Sequence, residues 1–113
     1  MDTYEARLTM RDLAHDALDI VERREAGTAA SRDERASMRG MAVEARSLLS
    51  DAGYPAEASW RAIQRASIGL ETAFDEPDRS YWTDLAGDLR MAIETLDNLV
   101  SVSKRDADIH IVG

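Results

Sequence analysis

One segment near the end of the chain constrains the fold more than any other. Between residues 79 and 103, apolar residues recur every three or four positions: Trp82, Leu85, Leu89, Ala92, Ile93, Leu96, Leu99 and Val100. This spacing places them on one face of an α-helix. The segment is therefore predicted to form a long amphipathic helix whose apolar face anchors the core.

Two earlier segments have the same periodicity and clear ends. The first covers residues 4–26 and stops at Gly27, a residue that commonly ends helices. The second begins at Ser31, because Glu34 stands three positions later in the spacing of a capping box, and it ends at Gly53.

A third helix is predicted to begin at Tyr54-Pro55, since proline fits the first turn of a helix. The run Asp75-Glu76-Pro77-Asp78 ends it, and either Asp78 or Ser80 can cap the fourth helix. Short connections favour antiparallel neighbours. The sequence thus predicts an all-α fold, a small antiparallel four-helix bundle over residues 1–103 as a single domain, with a short extended C-terminal tail over residues 104–113.

The charge of the chain limits its partners. The 113 residues include 22 acidic and 14 basic side chains, a net charge of −8. Such a field repels duplex nucleic acid and attracts a basic protein surface. The absence of cysteine excludes disulfides and thiolate metal sites. With no signal-peptide pattern and no long apolar run, we expect a cytoplasmic protein that does not bind membranes.

The acidic residues concentrate on two predicted helix faces. They are Glu5, Asp12, Asp16 and Asp19 on the first helix, and Asp84 and Asp88 on the fourth. His15 lies beside the first group, but metal sites in bundles project inward, and this face points away from the core. We therefore expect contact with a basic partner, and no metal or cofactor.

A row of cations follows the margin of the apolar face of the second helix. It consists of Arg32, Arg35, Arg39 and Arg46, named here the arginine row. Two interpretations are open. The row can form weak ion pairs with the carboxylates of the first helix, or it can serve as a clamp for a phosphate or carboxylate.

Apolar residues also occur on otherwise polar faces. Ile68 stands among Arg61 and Arg65 on the third helix, and Met91 and Val102 share a face of the fourth helix with acidic residues. An apolar centre with a polar rim is the composition of a modest protein interface, so these residues are candidate partner contacts.

The last ten residues, KRDADIHIVG, allow three interpretations. Ile109, Ile111 and Val112 are spaced like a strand that docks on another protein's sheet edge or folds back over the bundle. Fraying of the terminus is the second interpretation. Third, the spacing of Arg105 and His110 resembles the signature of HEPN ribonucleases, which are helical proteins. That resemblance implies a composite RNA-cleaving site across a dimer.

The chain has no glycine-rich phosphate loop, no defensible Ser–His–Asp arrangement and no cysteine nucleophile, so we expect no enzyme activity. The favoured hypothesis is an acidic protein-binding module that inhibits nucleic-acid machinery by occupying a basic protein surface. In size and acidity it is similar to phage-encoded anti-CRISPR proteins and other nucleic-acid mimics. The alternatives are a HEPN-like ribonuclease dimer and a homo-oligomeric structural or assembly protein.

Overall fold

The computed structural model describes residues 1–71 and 78–112, with side chains over residues 1–71 and 78–102. Within these ranges the chain forms four α-helices and one short 3₁₀ turn. They are α1 (Thr3–Glu25), α2 (Arg32–Ala52), the turn Tyr54–Ala56, α3 (Glu57–Glu71) and α4 (Arg79–Val112). The predicted all-α four-helix architecture is confirmed.

Side-chain caps fix where α1 and α2 begin. The Asp2 carboxylate accepts the Glu5 N–H at 2.7 Å. At the start of α2, the Ser31 hydroxyl accepts the Glu34 N–H at 3.1 Å, and the Glu34 carboxylate accepts the Ser31 N–H at 3.0 Å. This reciprocal pair is the predicted capping box, and it satisfies two backbone donors that have no partner inside the helix.

Two further signals set the end of α2 and the beginning of α4. Gly53 follows α2 with a φ of +85°, a conformation that costs glycine little. At α4, the Asp78 carboxylate accepts the Tyr81 N–H at 3.3 Å and the Ser80 hydroxyl at 2.5 Å. Of the two predicted caps, Asp78 is therefore the one used.

The helices follow each other around the bundle in chain order. α1 lies between α2 and α4, and α3 lies between the same two helices on the other side. Polar contacts give the direction: Arg7, near the start of α1, donates to the carbonyl of Ala52 at the end of α2 over 2.9 Å. Arg23, near the end of α1, bonds to Glu34 at the start of α2. The two helices are thus antiparallel.

The contacts of α4 follow the same rule. Arg90 of α4 lies 3.5 Å from Glu22, near the end of α1. Asp97, further along α4, lies 3.4 Å from Arg11 in the first half of α1. On the other side, Arg65 of α3 pairs with Asp88 of α4 at 2.9 Å. α4 therefore runs antiparallel to α1 and to α3.

The core is formed by the predicted apolar faces. All four helices contribute to one cluster, in which many positions are alanine and Trp82 is the largest fully buried side chain, 1% exposed. Small residues let helix axes approach closely, while a few large ones fill the remaining volume. The buried residues of α4 are Trp82, Leu85, Ala86, Leu89, Ala92, Ile93, Leu96 and Val100.

α3 and α4 approach most tightly at Gly69. A Cβ atom at this position would lie 2.8 Å from Cε1 of Tyr81 and 2.9 Å from Cη2 of Trp82. The two rings pack edge to face, with centroids 5.2 Å apart, and the Tyr81 hydroxyl donates to the carbonyl of Arg65 at 2.6 Å. The rings therefore have little freedom to move away from the glycine.

The prediction of an extended tail was wrong, because α4 continues through Val112 and crosses the predicted boundary after residue 103. No glycine or proline stands between Gly87 and Gly113 to stop the helix. Once a helix is formed, adding a residue is cheap, and β-branched residues cost only about 0.5 kcal/mol each. No helix in the described ranges is long and apolar enough to cross a membrane.

Replacing Gly69→Ala should lower the free energy of unfolding by about 1–3 kcal/mol, because the added methyl group overlaps two packed rings. Gly87→Ala is the matched control: it also lies within a helix, and its Cβ would meet no atom within 4 Å. The control should raise the free energy of unfolding by about 0.5–1 kcal/mol. Urea denaturation measures both, and a Gly69→Ala protein as stable as Gly87→Ala would contradict the tight contact.

Candidate protein-binding site

An open groove of about 520 Å³ runs between α1 and α2. Its apolar lining comes from Leu13, Ile20 and Met41, which belong to the edge of the core. Acidic residues of both helices line the groove as well: Asp16, Asp19, Asp33, Glu34 and Glu44. The groove thus combines an apolar base with carboxylates on both sides, and it is named here the acidic groove.

Most of these carboxylates are not neutralised. Arg23 is the cation among the lining residues, and it is bound to Glu34. Within the described part of the chain, the other four carboxylates, Asp16, Asp19, Asp33 and Glu44, have no ion-pair partner. Their mutual repulsion is unfavourable for the isolated protein and is relieved by a bound cation.

Glu34 differs from its acidic neighbours in its electrostatics. The Ser31 N–H that it accepts, followed by the guanidinium of Arg23, lowers the pKa of Glu34 below its ordinary value of 4.5. Both interactions favour the charged form of the carboxylate. Glu34 therefore links the end of α1 to the beginning of α2, and it is less free than the other carboxylates to bind a partner.

The predicted acidic face of α1 is exposed along its length, but the structure divides it. Asp16 and Asp19 line the acidic groove. Asp12 lies 3.6 Å from Arg11, which also faces Asp97 across the interface with α4. Glu5 lies in the first turn of α1 and is exposed. Of this set, Asp16 and Asp19 line the groove together with carboxylates of α2, and Asp12 shares Arg11 with Asp97 of α4.

The second predicted acidic pair, Asp84 and Asp88, lies on a different side of the bundle. Asp88 borders α3, where Arg65 offsets its charge. Asp84 is exposed and has no ion-pair partner within the described residues. These two residues therefore do not extend the acidic groove.

Sequence reasoning missed the contribution of α2 to the groove. Asp33, Ser37, Met41 and Glu44 follow one another at helical spacing and face α1. This periodicity is visible in the sequence beside the arginine row on the same helix. The α2 face that carries these carboxylates is the one that borders α1 in an antiparallel α1–α2 hairpin.

Within the described residues no member of the arginine row pairs with a carboxylate of α1, so the predicted ion pairs with the first helix were wrong. Arg39 pairs with Glu71 of α3 at 2.8 Å, and the guanidinium of Arg46 lies 5.0 Å from the ring centroid of Trp60. Arg32 and Arg35 have no ion-pair partner in the described part of the chain. Two of the four members of the row are thus in contact with α3.

Three of the candidate partner contacts on α3 and α4, Arg61, Arg65 and Met91, line the same groove. This second groove, of about 330 Å³, lies between the two helices and is lined by Arg61, Arg65, Asp88 and Met91 among others. Ile68 continues the same face of α3, and Val102 continues that of α4. The side chains of Ile68, Met91 and Val102 are 56%, 70% and 52% exposed. This surface is named here the α3/α4 face.

Three exposed apolar residues in the described ranges were not predicted from the sequence: Met1, Val43 and Tyr54. Tyr54, 86% exposed, lines a small pocket with Ala58 and Arg61, which also line the α3/α4 groove. Val43, 73% exposed, lies elsewhere, between α2 and α3. The exposure of both side chains depends on how the neighbouring helices pack.

The remaining candidates give no site within the described residues. His15 is exposed, and no group of three or more His, Cys, Asp or Glu residues there could hold a metal ion. The side chains of Arg105, Ile109, His110, Ile111 and Val112 lie outside the described residues, although the backbone that carries them is helical.

Comparisons with protein-family models, curated proteins and solved structures find no match.

Glu34→Gln should reduce the free energy of unfolding by less than about 1 kcal/mol at neutral pH, because glutamine keeps the cap but loses the charge facing Arg23. Since the pKa of Glu34 is lower in the folded protein than its ordinary 4.5, its charge stabilises the fold fully above that pH. That contribution disappears as the pH falls through the folded-state pKa.

Urea denaturation of both proteins over a pH series measures this difference. Glu44→Gln is the control, because Glu44 lines the same groove without an ion pair. A stability difference for Glu34→Gln that stays constant down to the lowest pH would show that the charge is not its source.

Proposed function

We propose that this protein is an acidic protein-binding module that captures a basic segment of another protein in the acidic groove. The observation that supports this most is the set of four carboxylates, on both sides of an apolar base, that have no ion-pair partner among the described residues. Each bound cation would relieve repulsion among charges that the fold itself leaves uncompensated.

The chemistry of the groove suits arginine and lysine side chains. Their aliphatic stems can lie along Leu13, Ile20 and Met41 while the charged ends reach the carboxylates. Arginine gains most, because its planar guanidinium can bond to a carboxylate through two parallel hydrogen bonds. A helix or extended segment with basic residues on one side is therefore the expected ligand.

The class of partner follows from the same charges. Proteins that bind nucleic acid present rows of arginine and lysine to phosphates. An acidic helical surface that occupies such a row excludes the nucleic acid, which is how a nucleic-acid mimic of the anti-CRISPR kind acts. On this proposal the protein inhibits nucleic-acid machinery by competing for its basic surface.

Binding of a fluorescent peptide that alternates arginine and leucine tests the groove directly. The wild-type protein should bind it with an affinity that falls steeply as salt increases. Asp16→Asn/Asp19→Asn should weaken binding by about fivefold or more at low salt, since each removed rim charge contributes on the order of 0.5–1 kcal/mol. Fluorescence anisotropy measures both effects.

The matched control is Asp51→Asn/Glu94→Gln, which removes the same net charge from exposed positions outside the groove. This variant should bind the peptide nearly as well as the wild type. Equal weakening by the two double variants would mean that net charge, and not the groove, attracts the peptide.

A second candidate function is the HEPN-like ribonuclease. The helical backbone through Val112 favours it, because the family's motif lies within a helix that continues past it. Arg105 and His110 would supply the composite site. The acidic-groove proposal does not depend on either residue, so the two functions can be tested separately.

Incubation of the purified protein with bulk RNA tests this second candidate. Cleavage by the wild type that is lost in His110→Ala would establish the ribonuclease, because an imidazole is the expected proton-transfer group. His15→Ala is the control, since its imidazole is exposed on α1. Intact RNA with every protein would leave the binding module as the function.

A further inference from the structure

We infer that the α3/α4 face binds a second copy of this chain, forming a two-fold symmetric dimer. In the ring of helices, this face lies opposite the acidic groove. The inference is independent of the proposed function, because it uses different residues on a different side of the bundle.

The first reason is the concentration of exposed apolar area. Six large apolar side chains are more than half exposed in the described residues: Met1, Val43, Tyr54, Ile68, Met91 and Val102. Met91 lines the groove of the α3/α4 face, and Tyr54 lines the adjacent pocket. Ile68 and Val102 share helix faces with the residues that line the groove. Exposed apolar residues that gather on one face indicate an interface, whereas scattered ones carry no such meaning.

The second reason is that the charges on this face are complementary to themselves. On α3, Arg61 pairs with Glu57 at 2.6 Å, and Arg65 pairs with Asp88 of α4 at 2.9 Å. Asp84 of α4 has no ion-pair partner within the described residues. Met91 lines the same groove as Arg61, Arg65 and Asp88. A partner of uniform charge would be repelled by one member of each pair, whereas a second copy presents both signs of charge to both signs.

The symmetry of a two-fold dimer meets this requirement. With the axis parallel to the helices, α3 of one copy faces α4 of the other, and positions at the same level along the bundle meet. Arg65 and Asp88 are at the same level, since they form an ion pair 2.9 Å long within one chain. In the dimer, the cation of each copy would also face the anion of its partner, with the Met91 side chains packed at the centre.

Dimerisation has a direct consequence for the acidic groove. Because the two faces are opposite, a dimer exposes two grooves on its outer sides. Two linked sites bind a partner with repeated basic segments more tightly than a single site does, provided that the spacing of the segments allows both to be occupied.

Sedimentation equilibrium over a concentration series tests the dimer. The wild-type protein should approach twice the chain mass of 12.5 kDa as its concentration rises. Met91→Glu should raise the dissociation constant by about tenfold or more, because it places a charge at the centre of the apolar contact. Val43→Glu is the matched control, since Val43 is equally exposed but lies off the face.

A charge exchange makes the test specific for self-association. Arg65→Glu leaves only anions at this level, and Asp88→Arg leaves only cations, so each variant alone should be monomeric. An equal mixture of the two should restore the dimer, because each copy then meets opposite charge on its partner. Circular dichroism confirms that both variants remain helical.

Recovery of the dimer in the mixture supports the inference. A wild-type protein that is monomeric at every concentration would overturn it, and so would a dimer that Val43→Glu weakens as much as Met91→Glu. A mixture that remains monomeric would also overturn the proposed two-fold arrangement.

Discussion

The packing of α4 against its neighbours is the contact on which the rest of the structure depends. Its apolar face, from Trp82 to Val100, is covered by α1 on one side and by α3 on the other. Burial of such side chains contributes about 1.5–3 kcal/mol each, far more than any surface interaction in the molecule. Once this face is covered, the direction of the other helices follows, and the polar faces of all four are left for solvent or partners.

The ion pairs contribute more to the alignment of neighbouring helices than to the stability of the bundle. Each interface between neighbouring helices in the ring has at least one: Arg23–Glu34, Arg39–Glu71, Arg65–Asp88 and Arg11–Asp97. Exposed pairs of this kind contribute about 0–1 kcal/mol, so they do not hold the bundle together. They do select which residues lie opposite each other, and they use most of the arginines near these interfaces. The carboxylates of the acidic groove are what remains after this pairing.

The distribution of charge gives the two free faces different character. The acidic groove carries five carboxylates and one arginine, Arg23, over an apolar base, which suits a basic ligand. The α3/α4 face carries both signs around Met91, which suits a surface like itself. Neither distinction is present in the net charge of −8, because both depend on where the paired arginines lie.

The sequence by itself determined the helices, their caps and the inward residues. Periodicity, the Ser31–Glu34 capping box and Gly53 are local features, and local geometry is enough to interpret them. It also identified Asp16, Asp19, Arg65 and Met91 as surface residues with binding potential. It did not predict the helical end of α4, where the β-branched residues after Lys104 suggested a strand although no residue stops the helix.

Only the tertiary structure decided which faces meet. Members of the arginine row could pair with either neighbour of α2. The packing of the bundle placed Arg39 beside Glu71 and Arg46 beside Trp60, both on α3. The same packing placed Asp33 and Glu44 beside Asp16 and Asp19. A helix has one apolar face but two polar margins, and the sequence of a single helix does not say which margin each neighbour will cover. That choice is made by the simultaneous packing of all four helices around one core.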